Sequence, residues 1–377
     1  MLVISVGFAL SSCAVGKPAA STVSKSEVNG GVDNTPPAPV PSPPPTLPPK
    51  KIQWAVNGHL PAADTTQEVP ALDRAVEMHF SMVRLDMSWA IVEPDPRNNI
   101  GVTGNWQVLD ASVDQVFKRG MKPLAILGST PTWASSNGAE NGTLSVDGQA
   151  HFVEYVRAMV QRYQGKVEFY EIGNEPNLNV FWVGTADQYI DQLLIPARDI
   201  IKNFDPNLKV VGPALSNLLN STIKIESFYQ TLGVRQSTYK KDHNGQGFFD
   251  IISQHAYNTT PTDVAAEFTQ GRLTCILGIC IKKRESLLKI FSDNGFDKEP
   301  IWLDEFGWAT TAGDANSEET QGKYLLETLQ RLAPVPRLEA AFIYHLWDDP
   351  RIANDFGVLK SDYQPKHAYD YLRNSSP

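Results

Sequence analysis

With 377 residues, 42% of them hydrophobic and 20% charged, the chain has the composition of a soluble globular protein that can enclose one sizeable core. A formal charge of -9 and a pI near 5.3 argue against a nucleic-acid partner, because phosphate binding draws on a basic surface that releases counterions. Aromatic residues reach 10%, including eight Trp, which suits stacking on the apolar faces of sugars as well as ordinary core packing.

The first ten residues are almost wholly apolar and run into Ser11, Ser12 and Cys13. That run is too short to cross a bilayer as a helix of about 20 residues, so residues 1–13 read as a cleaved export signal. The segment resembles the lipobox of bacterial lipoproteins. The resemblance implies a lipidated Cys13 and a protein anchored in the bacterial cell envelope, periplasmic or at the cell surface, touching membrane through that anchor only. It departs from the pattern in having no Lys or Arg ahead of the apolar run, and an ordinary secretory signal is the alternative. Residues 14–50 follow as a linker of Ser, Gly and Asn and then Pro, with nine prolines between Pro36 and Pro49. Such a segment buries too little apolar area to offset its ordering entropy and is expected to be disordered. Its proline stretch samples polyproline II and makes a stiff tether of about 40 Å.

From Ile52 onward, short apolar runs alternate with amphipathic stretches. Eight strands are predicted: Gln53 to Val56, Met82 to Asp86, Lys122 to Leu127, Glu168 to Gly173, Lys209 to Pro213, Asp250 to His255, Ile301 to Glu305, and Ala341 to Leu346. Runs such as PLAIL and KVVGP have the continuous apolar character of parallel strands buried on both faces. Helical periodicity lies between them, at 148–163, 185–204 and 319–332 among others. Eight strand-then-helix units predict a (β/α)8 TIM barrel over 51–377, an α/β fold in a single catalytic domain. The competing architecture, an open doubly wound sheet, normally shows a glycine-rich turn after its first strand, and residues 55–59 do not form one. The spans 217–247 and 259–283 read as long loops. Within the second, Cys275 and Cys280 lie close enough in sequence for a disulfide in an oxidising compartment. No His or third Cys accompanies them, so no metal site is expected there, and with no phosphate-binding loop in the sequence no cofactor is expected either.

In such barrels the polar residues that end strands gather at one face. The predicted ends carry Arg84 and Asp86, Asn174 and Glu175, His255 and Tyr257, Asp304 and Glu305, then His345, Trp347 and Asp348. Two elements stand out: EFYEIGNEPN at 168–177, and IWLDEFGW at 301–308. Together these resemble the glycoside hydrolases of clan A, whose barrels carry Asn-Glu at the end of strand four and Glu at the end of strand seven. VRLDMSWAIVEP, the following NWQVLDASVDQVFKRGMKPLAIL and TPTWAS extend the resemblance to family 39, with Trp89, Glu93, Trp106, Asp110 and Trp133 at matching positions. Ser129 and Thr130 stand near where related family 5 sequences carry a His, which favours family 39 near its exopolysaccharide-degrading branch.

The resemblance implies a retaining glycosidase, with Glu175 as general acid/base and Glu305 as nucleophile. Cleaving an acetal needs a proton on the leaving oxygen and negative charge beside the anomeric carbon, hence one protonated and one ionised carboxyl. By the same resemblance Asn174 donates to the sugar 2-hydroxyl, Tyr257 and Arg84 hold the nucleophile, His255 lines the site, and Trp133 and Trp347 are substrate-side aromatics, Trp347 as a floor under the sugar. Two plainer readings stay open: Arg84 in a salt bridge with Asp86 or another barrel acid, and His255 as a satisfied core histidine. The expected partner is a polysaccharide or oligosaccharide, cleaved internally at β-linkages by a monomeric enzyme. A catalytically silent carbohydrate-binding barrel is the alternative from another functional class.

Overall fold

The apolar runs close into an eight-stranded parallel barrel in this computed structural model, which describes residues 51–58, 69–96, 100, 104–276, 279–311, 313–350 and 355–377. Its strands are β1 (Gln53–Asn57), β2 (Met82–Ser88), β3 (Lys122–Gly128), β4 (Phe169–Ile172), β5 (Lys209–Leu215), β6 (Ile251–His255), β9 (Ile301–Phe306) and β10 (Leu338–Ile343). Each pairs in parallel with its neighbour in that order, and β10 returns to β1. Closure excludes the open sheet. Cys13, the segment 1–13 and the linker 14–50 lie outside the described residues.

The barrel interior is built in layers. Its floor is apolar, with Ala55, Met82, Leu124, Val211, Ile251, Trp302, Ala340 and Phe342 packed on one another and on Phe169. Two positions further along the strands, where side chains return to the same face, stand Asn57, Arg84, Glu171 and Ser253. A larger core lies between the sheet and the surrounding helices and takes in Val83, Leu85, Leu127, Ile172, Leu303 and Ile343.

Two irregularities set the top of the barrel. Against both neighbours β9 carries one extra residue: Leu303 and Glu305 oppose the consecutive Gln254 and His255, and Leu303 and Phe306 oppose Ala341 and Ile343. A bulge of this kind re-aims a side chain. It lets the consecutive Asp304 and Glu305 both reach Arg84 and His255. A matching insertion in β5 falls at Ala214, which has a positive φ of 51°.

The helices follow the predicted periodicity with sharper ends. Helix Val146–Arg162 starts at Ser145, whose hydroxyl accepts from Gly148 N at 2.9 Å. The stretch 185–204 opens on a capping box between Thr185 and Gln188, then widens into a π-turn at Ile190–Leu194 before helix Ile195–Phe204. Pro196 has no N–H for the regular ladder, a local cause for that slip.

Three expectations need correction. The last barrel strand runs Leu338–Ile343, ending three residues before Leu346. The span 217–247 contains the 18-residue helix Ile225–Asp242. The span 259–283 contains helix Pro261–Thr269 and most of an antiparallel hairpin, β7 (Arg272–Ile276) with β8 (Ile279–Arg284). The hairpin register sets Cys275 opposite Cys280, while the side chains of 274–280 lie outside the described residues.

Candidate active site

Glu175 ends the β4 segment in a left-handed conformation, φ 42°, that a non-glycine residue adopts only when its surroundings hold it. The holding groups come from β5. Glu175 N donates to Ala214 O at 3.0 Å, the residue displaced by the β5 insertion. Asn177 clamps the same turn, accepting from Ser216 N at 2.9 Å and donating to Ser216 O at 3.0 Å. The sequence Gly-Asn-Glu-Pro-Asn is thus a brace that turns Glu175 toward the barrel axis.

Glu305 meets it there. His255 Nδ1 lies 2.9 Å from Glu175 Oε1 and 3.4 Å from Glu305 Oε2. Sharing one nitrogen at 2.9 and 3.4 Å, the two carboxylate oxygens are at most about 6.3 Å apart, short of the about 6.5–9.5 Å of an inverting pair. Arg84 Nη1 donates to Glu305 Oε1 at 2.6 Å and Tyr257 Oη to Glu305 Oε2 at 2.8 Å. Charge-assisted bonds of this kind stabilise a carboxylate. Burial, with Glu305 beside it, pushes the Tyr257 phenol well up, so it remains a donor across the neutral range.

Arg84 is 2% exposed and spends every arm of its fork. Nε donates to Glu171 at 2.6 Å, Nη1 also to Asn57 at 3.0 Å, and Nη2 to Asn174 Oδ1 at 2.7 Å. Its partners are therefore Glu171 and Glu305, with Asp304 at 3.8 Å, rather than Asp86. Because a guanidinium only donates, Asn174 must present its oxygen to Arg84, which turns its amide N–H groups away and leaves them to donate elsewhere.

The other predicted aromatics sit differently. Trp133 is half-buried on the turn Thr132–Ala134 after β3, edge-on to Trp89 at 5.7 Å, with Nε1 donating to Glu93 O at 3.0 Å. Glu93 itself is buried and bonds Trp89 Nε1 at 2.7 Å and His151 Nδ1 at 2.8 Å, so this group braces the loops beyond β2 and β3. Trp106 and Asp110 likewise bind Arg162 on the outer layer. Trp347 is 3% exposed, packed in the outer core and edge-on to Tyr363 at 5.8 Å, which leaves little ring face for a sugar floor. The misplaced strand end explains the mismatch. With β10 ending at Ile343, the aromatic at the mouth is Tyr344, half-buried and edge-on to Tyr257 at 6.1 Å. Asp348 pairs with Lys366 at 2.7 Å and caps Gly357 N at 2.8 Å, a loop-closing role.

Sequence reasoning gave no role to Glu171, Asp304, Asn57 or Ser253. Glu171 is fully buried, holds Arg84 and accepts from Ser253 Oγ at 2.7 Å. Burial pushes its carboxyl up to about 8, with Asp304 reinforcing the shift and Arg84 opposing it. Arg84 loses that contest because Glu305 and Asp304 share it. Between about pH 4.5 and 8 the folded chain therefore holds a proton that the unfolded chain has released, and stability falls as pH rises through that window. His255, also raised, adds to the same slope above about pH 6.5. Asp304, which His255 and Arg84 hold below the usual range against burial, acts in the opposite sense and only in acid. Glu171→Gln should flatten the profile. Denaturant unfolding at pH 5 and 8 should show wild type losing about 1 kcal/mol or more relative to the variant. Parallel curves would contradict the assignment.

The chain is similar to known carbohydrate-active proteins. It is 31% identical over 172 residues to a beta-xylosidase of Caldicellulosiruptor saccharolyticus, a match covering 42% of this chain and 31% of that protein. The chain thus spans about a third of that relative. Among solved structures, a family 39 glycoside hydrolase from Bacteroides cellulosilyticus WH2 superposes with a TM-score of 0.62 at 21% identity, over 86% of this chain and 63% of that one. A GH39 beta-xylosidase from Caulobacter crescentus does so with a TM-score of 0.63 at 17% identity, over 86% and 71%. These superpositions speak to the fold. The family model "Glycosyl hydrolases family 39" matches residues 82–323, which takes in β2 through β9 and both glutamates, and the chain belongs to that family.

Proposed function

We propose that the protein hydrolyses β-linked glycosides of an oligosaccharide or polysaccharide with retention of anomeric configuration, through Glu175 and Glu305. The observation that carries this is the single His255 nitrogen facing both carboxylates at 2.9 and 3.4 Å, which keeps them within reach of one acetal. An inverting pair needs about 6.5–9.5 Å to seat a water between its carboxyls. In the first step Glu175 gives its proton to the leaving oxygen while Glu305 bonds the anomeric carbon. In the second, Glu175 takes a proton from water as that water displaces Glu305. Asn174, its oxygen tied to Arg84, has N–H groups to offer the sugar 2-hydroxyl, and Tyr344 is the aromatic placed to flank the ring.

Beta-xylosidases among the relatives make β-xylosides the first substrates to try, followed by β-glucosides and β-linked polysaccharides. The expected result is turnover in which NMR shows the β-anomer appearing first and the α-anomer growing in only by mutarotation. First appearance of the α-anomer, or no turnover across the panel, would refute the proposal. Endo action belongs to the same proposal: viscosity of a polymeric substrate should fall before monosaccharide accumulates.

A further inference from the structure

Asp304 is completely enclosed, and no N–H or alcohol donor among the described residues hydrogen-bonds its carboxylate; the neutral Glu171 carboxyl can give it one O–H, which leaves its charge unbalanced. Burial of a bare carboxylate is expensive unless cations balance it. Two face it, the Arg84 guanidinium at 3.8 Å and His255 Nε2 at 3.6 Å. Arg84 is already engaged at 2.6 Å by Glu171 and at 2.6 Å by Glu305, so the nearer and freer charge is the imidazole. The opposite ring nitrogen, Nδ1, faces Glu175 and Glu305. A neutral imidazole has one N–H, whereas carboxylates on both sides call for two. With His255 protonated and Glu171 neutral, the ionised Asp304 and Glu305 are matched one for one by His255 and Arg84.

We propose, on the reading of Glu175 and Glu305 given above, that Asp304 is a positioning residue that keeps His255 an imidazolium throughout turnover, so that the Nδ1–H follows the negative charge between the two glutamates. The charge does move. In glycosylation an electron pair of Glu305 forms the bond to the anomeric carbon, the glycosidic C–O bond breaks, and the Glu175 proton leaves with the departing oxygen. Glu305 is then a neutral ester and Glu175 a carboxylate. Deglycosylation reverses this: water oxygen bonds the anomeric carbon, a water proton goes to Glu175, and the electron pair returns to Glu305. One negative carboxylate faces Nδ1 in each resting state. A donor committed to one glutamate would favour one half-reaction, whereas a donor lying between both serves the two steps alike.

The groups around the ring agree with a cation. Glu175 and Glu171 approach from β4, Asp304 and Glu305 from β9, Arg84 from β2, and Tyr257 acts through Glu305. Burial disfavours the charged ring, but Glu305 and Asp304 outweigh it and push the imidazole well up.

The test is read first on the wild-type full chain. With 15N-labelled histidine, and the His255 signals identified by their loss in His255→Gln, both ring nitrogens should carry protons from about pH 5.5 to 8. They should do so in free enzyme and in enzyme trapped by a slow 2-deoxy-2-fluoro glycoside. A neutral ring near pH 7 in either state overturns the proposal. Asp304→Asn gives a second readout: kcat should fall about a hundredfold, with activity declining above about pH 6.5 where an unsupported His loses its proton, and KM should stay within about threefold. A folded variant with unchanged kcat and pH profile also overturns it. Turnover by wild type tests the two glutamates independently, so either reading can fail alone.

Discussion

Glu305→Gln is expected to leave no measurable turnover, because an amide cannot form the glycosyl ester through which the second step runs. Glu175→Gln should lose about a hundred- to ten-thousandfold on substrates whose leaving group needs a proton. It should lose far less in the first step on aryl glycosides with acidic phenols, since those leave unassisted. The contrast separates the two roles. Both changes are nearly isosteric, so the far-UV spectrum should stay close to wild type; Glu175→Gln should also keep the unfolding transition, whereas Glu305→Gln should lower it by removing an acid that Arg84 pairs with at 2.6 Å. Equal losses on both substrate types for Glu175→Gln would show that it does not serve as the acid.

Arg84→Leu is the second large effect, and it falls on stability as well as rate. One guanidinium stands among Glu171, Asp304 and Glu305, the first two fully buried and Glu305 7% exposed. Removing one partner of such a cluster leaves uncompensated charge in a medium that solvates it poorly, a loss of about 3–5 kcal/mol. Denaturant midpoints measure it. Adding Asp304→Asn to Arg84→Leu should recover part of the loss, because it removes an ionised acid that Arg84 no longer balances. An Arg84→Leu protein that unfolds with wild type would mean that the cluster contributes nothing to the fold. Activity should vanish in either background, since Glu305 loses a donor at 2.6 Å and Asn174 loses the group that orients it.

The barrel was legible because parallel strands covered on both faces write long apolar runs, and PLAIL or KVVGP cannot easily be anything else. The place of the two glutamates was legible because polar residues that close such runs gather at one end of a barrel, and the roles proposed for them came from the resemblance of GNEP and LDEFG to clan A. Glu171 was not, although its place in FYEIGNEP offered a signal. It stands two residues after Phe169, which packs against the interior floor, so strand alternation turns it inward too. Asp304 was read with Glu305 as a strand-end residue but given no role, since strict strand alternation turns only one of two consecutive residues inward. Only the extra residue in β9 brings both inward, and a bulge leaves no mark in composition. Trp347 was matched by resemblance to an aromatic that follows strand eight, with that strand's end set three residues too far along because Tyr344-His345-Leu346 prolongs the apolar pattern after the ladder has stopped. The hairpin was read as loop because RLTCI and ICIKKR are short and mixed, unlike barrel strands, although β-branched and apolar residues recur on both sides of Leu277-Gly278.

On the proposed mechanism one acetal is worked by Glu175 and Glu305 together, with Glu305 forming the covalent bond. Aryl 2-deoxy-2-fluoro-β-glycosides of xylose and glucose, incubated with the enzyme and followed by intact-mass and peptide mass spectrometry, test it most directly. A single glycosyl adduct is expected on the peptide carrying Glu305, abolished in Glu305→Gln. An adduct on Glu175, on Asp304 or on any other carboxylate would contradict it.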